Sequence, residues 1–208
     1  MEIISVNIQK GGSGKTTSVQ AIAEILNRDY GKKVLCIDLD PQCNLTTVSG
    51  IDIMQYQDNN MYTLLKERLS GAAYDYILID TPPALGLLNV MSLTASTKVI
   101  IPTECSYLSM IGLNQLYELI GTVRKYSNKE LQIAGVLLIK YSPRLKLNVE
   151  VASGLEQMAA RMGIKVFNSK IRETVKIKEA QSQQVPLLDW DSSNSAVSDY
   201  ISFVKELI

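Results

Sequence analysis

The sequence predicts a three-layer α/β fold, a mostly parallel, twisted sheet with helices on both faces. Three observations point to it. Short apolar runs of strand length alternate with segments whose apolar residues recur at helical spacing, the signature of βα units. Two of those runs end in an aspartate, Asp38 and Asp80, which sets carboxylates at the carboxyl edge of the sheet, where open α/β sheets bind ligands. Between the first apolar run and the first helical segment lies Gln9-Lys10-Gly11-Gly12-Ser13-Gly14-Lys15-Thr16-Thr17, a glycine turn at a strand-to-helix junction.

The elements follow in order. Ile3–Ile8 reads as a buried strand, and Val19, Ile22, Ala23 and Leu26 mark one face of the helix after the glycine turn. Val34–Ile37 is a strand ending in Asp38, and Tyr76–Ile79 is another ending in Asp80. Val99–Ile101 is stopped by Pro102, which has no N–H to give to a ladder. Ile133–Ile139 is a further strand and Lys165–Phe167 a short last one. Helices are expected over Ile111–Arg124, with Leu116, Ile120 and Val123 on one face, and over Val149–Met162, with Leu155, Met158 and Ala159. The last helix, Ser195–Leu207, carries Val197, Tyr200, Ile201 and Val204. No repeat, low-complexity tract or linker divides the chain, so residues 1–208 read as one domain.

Composition narrows the function classes. The 208 residues suffice for a substantial core, and 21 basic residues balance 21 acidic ones. No apolar run approaches the ~20 residues that span a bilayer, and Met1-Glu2 leads into a strand with no basic leader. Cys36, Cys43 and Cys105 form no close pair and are odd in number, which fits a reducing, cytoplasmic setting and small buried side chains. The absence of histidine excludes histidine triads, histidine metal sites and histidine general bases. Between Lys140 and Lys178 nine basic residues face three acidic ones. Two readings fit that excess equally: an electrostatic footprint for a polyanion, or the solvated faces of ordinary helices.

The glycine turn carries the chemistry. Glycines let successive N–H groups point inward at an anion, and the helix that follows adds free N–H groups and the positive end of its dipole. Gly11, Gly12, Ser13, Gly14, Lys15, Thr16 and Thr17 therefore form a phosphate loop on a P-loop NTPase-like fold. Lys15 is placed to neutralise terminal phosphates and the Thr16 hydroxyl to ligate Mg²⁺. The common pattern begins with a glycine where this chain has Gln9, and a second lysine, Lys10, stands beside it. Lys10 by itself could be a solvated loop lysine. Asp38-Leu39-Asp40-Pro41-Gln42 is by itself compatible with a turn and helix cap.

Lys10-Gly11-Gly12-Ser13-Gly14-Lys15-Thr16-Thr17 resembles the deviant phosphate loop of the ParA/MinD family of dimeric ATPases. Asp38-Leu39-Asp40-Pro41-Gln42 resembles the Walker A′ motif of its ParA-type partition members, and Asp75–Pro83 with Leu85-Gly86 resembles their Walker B segment. Supporting similarity runs through Ile101–Glu104, Gly112-Leu113, Gly135–Leu138, Tyr141–Arg144 and Ile171–Ala180. The resemblance implies an ATPase using ATP and Mg²⁺, with Lys10, Lys15 and Asp40 in the catalytic roles. Lys10 would reach the nucleotide of a second subunit across an ATP-dependent homodimer, where a cation offsets the repulsion between facing triphosphates. Asp40 would position the attacking water, while Thr16, Asp38 and Asp80 would surround the metal. It further implies nonspecific DNA binding by the dimer, with Lys176 aligned to a basic residue used for it and Arg144 and Lys146 in a loop able to join. A centromere-binding partner protein would stimulate slow hydrolysis, and the ATP-bound protein would be nucleoid-associated in plasmid or chromosome partition.

Three departures accompany the resemblance. Asp40 and Asp80 stand closer in sequence than their counterparts in the family, as though a strand and a helix were missing. The chain opens on its first strand, with no helix-turn-helix segment ahead of it. Ile139-Lys140 occupies the place of an adenine-binding asparagine in some relatives. Two other readings belong to the same fold: a MinD-like positioning ATPase at a membrane surface, and a small-molecule ATP-dependent enzyme. The first needs a basic amphipathic tail, whereas the last helix offers Lys205 against Asp199 and Glu206 and reads as a helix docked on the core. Asp38-Leu39-Asp40-Pro41-Gln42 argues against the second.

Overall fold

A computed structural model describes residues 1–49 and 73–208. The elements are β1 (Glu2–Val6), α1 (Lys15–Tyr30), β2 (Val34–Asp38), α2 (Asn44–Val48), β3 (Tyr76–Asp80), α3 (Leu87–Ala95), β4 (Lys98–Glu104), α4 (Tyr107–Tyr126), β5 (Gln132–Tyr141), α5 (Lys146–Arg161), β6 (Val166–Arg172), α6 (Val175–Ser182), α7 (Leu187–Trp190) and α8 (Ser195–Leu207). The strands form one sheet in the order β2-β3-β1-β4-β5-β6, and each neighbouring pair is parallel.

Strand alternation creates two cores. Ile100, Leu137 and Ile139 point to one face, where they meet Val19, Ile22 and Leu26 of α1 and Val197, Tyr200 and Phe203 of α8. Val99, Ile101, Val136 and Leu138 point to the other, against Leu113, Leu116 and Ile120 of α4 and Leu155 and Ala159 of α5. A two-residue period feeding both faces makes the central strands continuous apolar runs, and it produces the three predicted layers.

The register positions the site. Val6 pairs with Asp80, and Asp80 pairs with Asp38. The ends of β1, β2 and β3 are therefore level, and both aspartates stand beside the exit of β1. A buried polar cluster fixes the neighbouring turns. Asn89 of α3 donates to the Asn7 side chain (2.7 Å), Asn7 donates to Ser92 (3.1 Å), and the Thr81 hydroxyl donates to the Val6 carbonyl (2.7 Å).

Several boundaries differ from expectation. β1 ends at Val6, so Asn7 and Ile8 already belong to the loop. β4 runs through Pro102 to Glu104. The Asn7 N–H donates to the Ile100 carbonyl, so the backbone groups of Pro102, two residues on, face a side that β1 has already left. Its missing N–H breaks no ladder bond there. β6 extends to Arg172 although Asn168, Ser169 and Lys170 are polar, because it is an edge strand. Carboxylates of α8 occupy its outer donors: Glu206 accepts from the Asn168 and Ser169 N–H groups, and Asp199 accepts from the Arg172 N–H. Helix α4 begins four residues earlier than its apolar periodicity suggests, at a cap where Ser106 accepts from the Ser109 N–H. Of the cysteines only Cys105 is buried; Cys36 is exposed and Cys43 intermediate.

The last helix matches its predicted bounds. Its apolar face, Ala196, Val197, Tyr200, Phe203 and Val204, is buried in the core. Phe203 meets Phe167 edge to face at 4.8 Å, and the Tyr200 hydroxyl lies 3.1 Å from Ser18 of α1.

Candidate nucleotide site

The loop between β1 and α1 has the backbone its glycines permit. Gly12 (φ 68°) and Gly14 (φ 69°) both adopt left-handed conformations, which L-residues with a Cβ rarely enter. Gly14 caps α1 directly. A Cβ there would sit 2.7 Å from Ile139 Cδ1 of β5, so the loop lies hard against the sheet. The Ser13 hydroxyl donates to the Lys10 carbonyl (2.9 Å), closing the turn.

Lys15 is only 7 % exposed, and its Nζ donates to the Lys10 carbonyl at 3.0 Å. Burial pushes its pKa down, while Asp80 and Asp40 push it up. A buried ammonium whose hydrogen bond is to a carbonyl is completed by an anion.

Asp80 is fully buried. One carboxylate oxygen accepts from the Thr16 hydroxyl at 2.6 Å; the other is buried with no hydrogen-bond partner among the described residues. Burial raises its pKa to about 6, with Asp38 and Asp40 adding to the rise and Thr16 and Lys15 opposing it. An orphaned carboxylate oxygen whose partner oxygen holds a threonine hydroxyl suits a hard divalent cation, which prefers such oxygen ligands. The donor set therefore fits Mg²⁺, with Thr16 and Asp80 as the residues that would hold it. Bound there, the ion would neutralise charge on the outer phosphates.

Both carboxylate oxygens of Asp38, which stands level with Asp80, accept hydrogen bonds. Its Oδ1 accepts from the Asp40 N–H (3.1 Å), and its Oδ2 accepts from both the N–H (3.0 Å) and the hydroxyl (2.9 Å) of Thr46. It organises the turn that presents Asp40 and anchors α2. Asp40 accepts from the Gln42 N–H (3.0 Å) and is 9 % exposed.

A cavity of about 430 Å³ adjoins the phosphate loop and Asp40, a size suited to a nucleotide-sized ligand. Gly11 to Thr17 and Asp40 line one end; Ile171, Thr174, Ile177 and Gln181 line another. Gln181 of α6 donates to the Thr17 hydroxyl at 3.0 Å, tying the two ends together.

Lys10 lies within its own subunit. Its Nζ pairs with Glu104 and donates to Ser106 (3.3 Å). Arg144 and Lys146 lie on the exposed approach to α5, away from the phosphate loop's lining. Lys176 pairs with Glu179 at 2.8 Å.

Sequence reasoning missed two side chains here. Glu104, at the end of β4, bonds both Lys10 and Lys140. Lys140, at the end of β5, reaches the Gly12 carbonyl at 2.8 Å. The available signal was position: both sit at carboxyl ends of strands flanking the loop.

Residues 4–187 match the CobQ/CobB/MinD/ParA nucleotide-binding domain. The chain belongs to this family. As a member it is a nucleotide-binding ATPase domain, and ATP with Mg²⁺ fits its loop and carboxylates. It is 32 % identical to the sporulation initiation inhibitor protein Soj of Bacillus subtilis over 251 aligned positions, covering 99 % of this chain and 98 % of the relative. It is 30 % identical to the chromosome-partitioning ATPase Soj of Treponema pallidum, covering 99 % and 96 %. Both alignments are longer than the 208 residues of the chain, so these relatives carry residues it lacks. Among solved structures, cobyrinic acid a,c-diamide synthase of Mycobacterium smegmatis with bound ATP analogue and magnesium superposes with a TM-score of 0.78. It is 24 % identical, with 99 % and 93 % of the two chains covered, which establishes the shared fold. Among the described residues no helix is long and apolar enough to cross a membrane.

Proposed function

We propose that the chain is a ParA-type partition ATPase whose ATP-bound homodimer binds DNA without sequence preference and is released when a centromere-binding partner stimulates hydrolysis. The observation that carries the reading is Asp40. Pairing level with Asp80, Asp38 holds the next turn so that the Asp40 carboxylate lines the same cavity as the phosphate loop. That placement suits a group that orients water toward a terminal phosphate without being a strong base. Full-length similarity to the chromosome-partitioning ATPase Soj of Treponema pallidum supports the biological role.

In this reading Lys15 and the loop N–H groups bind the phosphates, and Thr16 and Asp80 hold Mg²⁺. Lys10 leaves its own subunit to complete the pocket of a second. Exposed apolar side chains around that face, Leu87, Met91, Tyr107, Leu108 and Ile111, suit burial against another copy. Arg144, Lys146 and Lys176 would contribute to DNA contact. Doubling a weak basic patch by pairing multiplies its affinity, so a protein of zero net charge gains DNA affinity only as a dimer. The apolar face of α8 is spent on the core, which disfavours a membrane-surface role for that helix.

The test is ATP turnover with and without nonspecific duplex DNA, together with sizing in Mg²⁺ and a non-hydrolysable ATP analogue. The expected result is a dimer that co-elutes with DNA at low salt and dissociates as salt rises. A single subunit with the analogue, on and off DNA, would overturn the reading.

A further inference from the structure

We propose that Gln181 is a positioning residue that turns the hydroxyl proton of Thr17 into the nucleotide cavity. The inference rests on nucleotide binding at the phosphate loop and needs neither pairing nor DNA.

A threonine hydroxyl has one proton to give and lone pairs that accept. In a helix it commonly gives that proton to the carbonyl of the preceding turn. Thr47, Thr94 and Thr122 do so, to the carbonyls of Cys43 (2.9 Å), Val90 (2.7 Å) and Glu118 (3.1 Å). Thr16 and Thr46 give theirs to the carboxylates of Asp80 (2.6 Å) and Asp38 (2.9 Å). Thr17 is the exception. Its hydroxyl accepts from Gln181 Nε2 at 3.0 Å, and among the described residues it has no acceptor of its own. The carbonyl it would otherwise use belongs to Ser13, which lies outside α1, because the helix begins at Lys15 with Gly14 as its cap. No side chain caps that start, so the first N–H groups of α1 are also left for an outside acceptor.

Thr17 and Gln181 both line the cavity beside the phosphate loop. An O–H bond cannot point at the group it accepts from, so donation by Gln181 turns the proton away from α6. The amide is held in place from behind. Ala180, the residue before it, is buried in the same core as Val19 and Ile22 of α1. A phosphate oxygen carries no proton and can only accept, which makes it the partner for a hydroxyl prepared in this way. Excluding the setting that faces α6 narrows the staggered choices of the hydroxyl, and donation from the amide polarises the O–H into a stronger donor; together these are worth about threefold in affinity.

Calorimetry with Mg²⁺ and a non-hydrolysable ATP analogue tests this on wild type, Gln181→Met, Thr17→Val and the double variant, with thermal melts of the empty proteins to verify folding. Thr17→Val is expected to lose about tenfold or more, the range for a hydrogen bond to a charged group. Gln181→Met is expected to lose about threefold. The double variant is expected to bind no worse than Thr17→Val, because Gln181 acts only through that hydroxyl. Thr17→Ser keeps the hydroxyl and is expected to keep both the affinity and its dependence on Gln181. Gln181→Met binding as tightly as wild type, or more tightly, would overturn the proposal, since that is the result if the hydroxyl donates to the amide oxygen. Losses that add in the double variant would overturn it too, as the mark of a residue that merely packs α6. A folded wild type that does not bind the analogue would overturn the nucleotide site itself.

Discussion

Replacing Asp80 by Asn should make the empty protein more stable and the protein useless for its ligand. The carboxyl is fully buried with one oxygen unpartnered, and its pKa rises from 3.8 to about 6. Each unit is worth about 1.4 kcal/mol, so the ionised form costs the empty fold about 3 kcal/mol at neutral pH. Asn keeps an acceptor for Thr16 and carries no charge. Allowing for the amide N–H groups, which inherit part of the unsatisfied burial, a gain of about 2 kcal/mol remains. In a chain of this size that raises Tm by about 4–8 °C. The sign with pH follows from proton counting. Between pH 3.8 and about 6 the native state holds a proton that the unfolded chain has lost, so wild-type stability falls as pH rises through that window. The Asn variant lacks this slope, so its advantage shrinks as pH falls and becomes a deficit of about 1 kcal/mol below about pH 4. Thermal melts of both proteins from pH 4 to 8, with and without Mg²⁺ and ATP analogue, measure all of it. Refutation would be an Asn variant less stable than wild type at pH 7 in the empty state, or one still stabilised by the nucleotide in a Mg²⁺-dependent way.

Three further outcomes are expected. Lys15→Met should weaken ATP binding by about 100-fold or more in calorimetry, since a charge-assisted phosphate contact is worth roughly 1.5–3 kcal/mol and the N–H cradle also loses its anchor at the Lys10 carbonyl. Asp40→Ala should retain nucleotide affinity within about threefold while single-turnover hydrolysis falls by about 100-fold or more, the range for losing a group that orients the reacting water; wild-type turnover would remove Asp40 from catalysis. Gly135→Ala should destabilise the fold by about 2–4 kcal/mol in urea melts, because φ is 153° and the new Cβ would lie 2.7 Å from the Phe167 ring and 2.9 Å from the Lys165 carbonyl.

Much of the architecture was legible because its signals are local. Val99–Ile101 and Ile133–Ile139 are apolar enough to be central strands, and the glycine turn can only be placed between a strand and a helix. The polar residues Asn168, Ser169 and Lys170 hid most of β6, whose stability comes from α8 carboxylates 27 to 38 residues away in sequence. Pro102 looked like a stop because nothing in the sequence says that β1 has left the sheet by then. At the site, Thr16 bonds Asp80, and Lys15 lies near enough to oppose the rise in the Asp80 pKa. Asp38 proved to be a hub for Asp40 and Thr46. The bond from Lys10 to Glu104 spans 94 residues of sequence. Two strands brought level by a parallel register create it, and no linear pattern announces that.

The carboxylates that cover the outer rim of β6 have a consequence for assembly. A bare parallel rim is a template on which another molecule's strand can grow, and chains that meet this way form open-ended polymers. Glu206 and Asp199 occupy the N–H groups of Asn168, Ser169 and Arg172 and place negative charge beside them. Self-association through this side of the sheet is thereby discouraged, and a chain clipped before its final helix would be prone to fibre-like stacking.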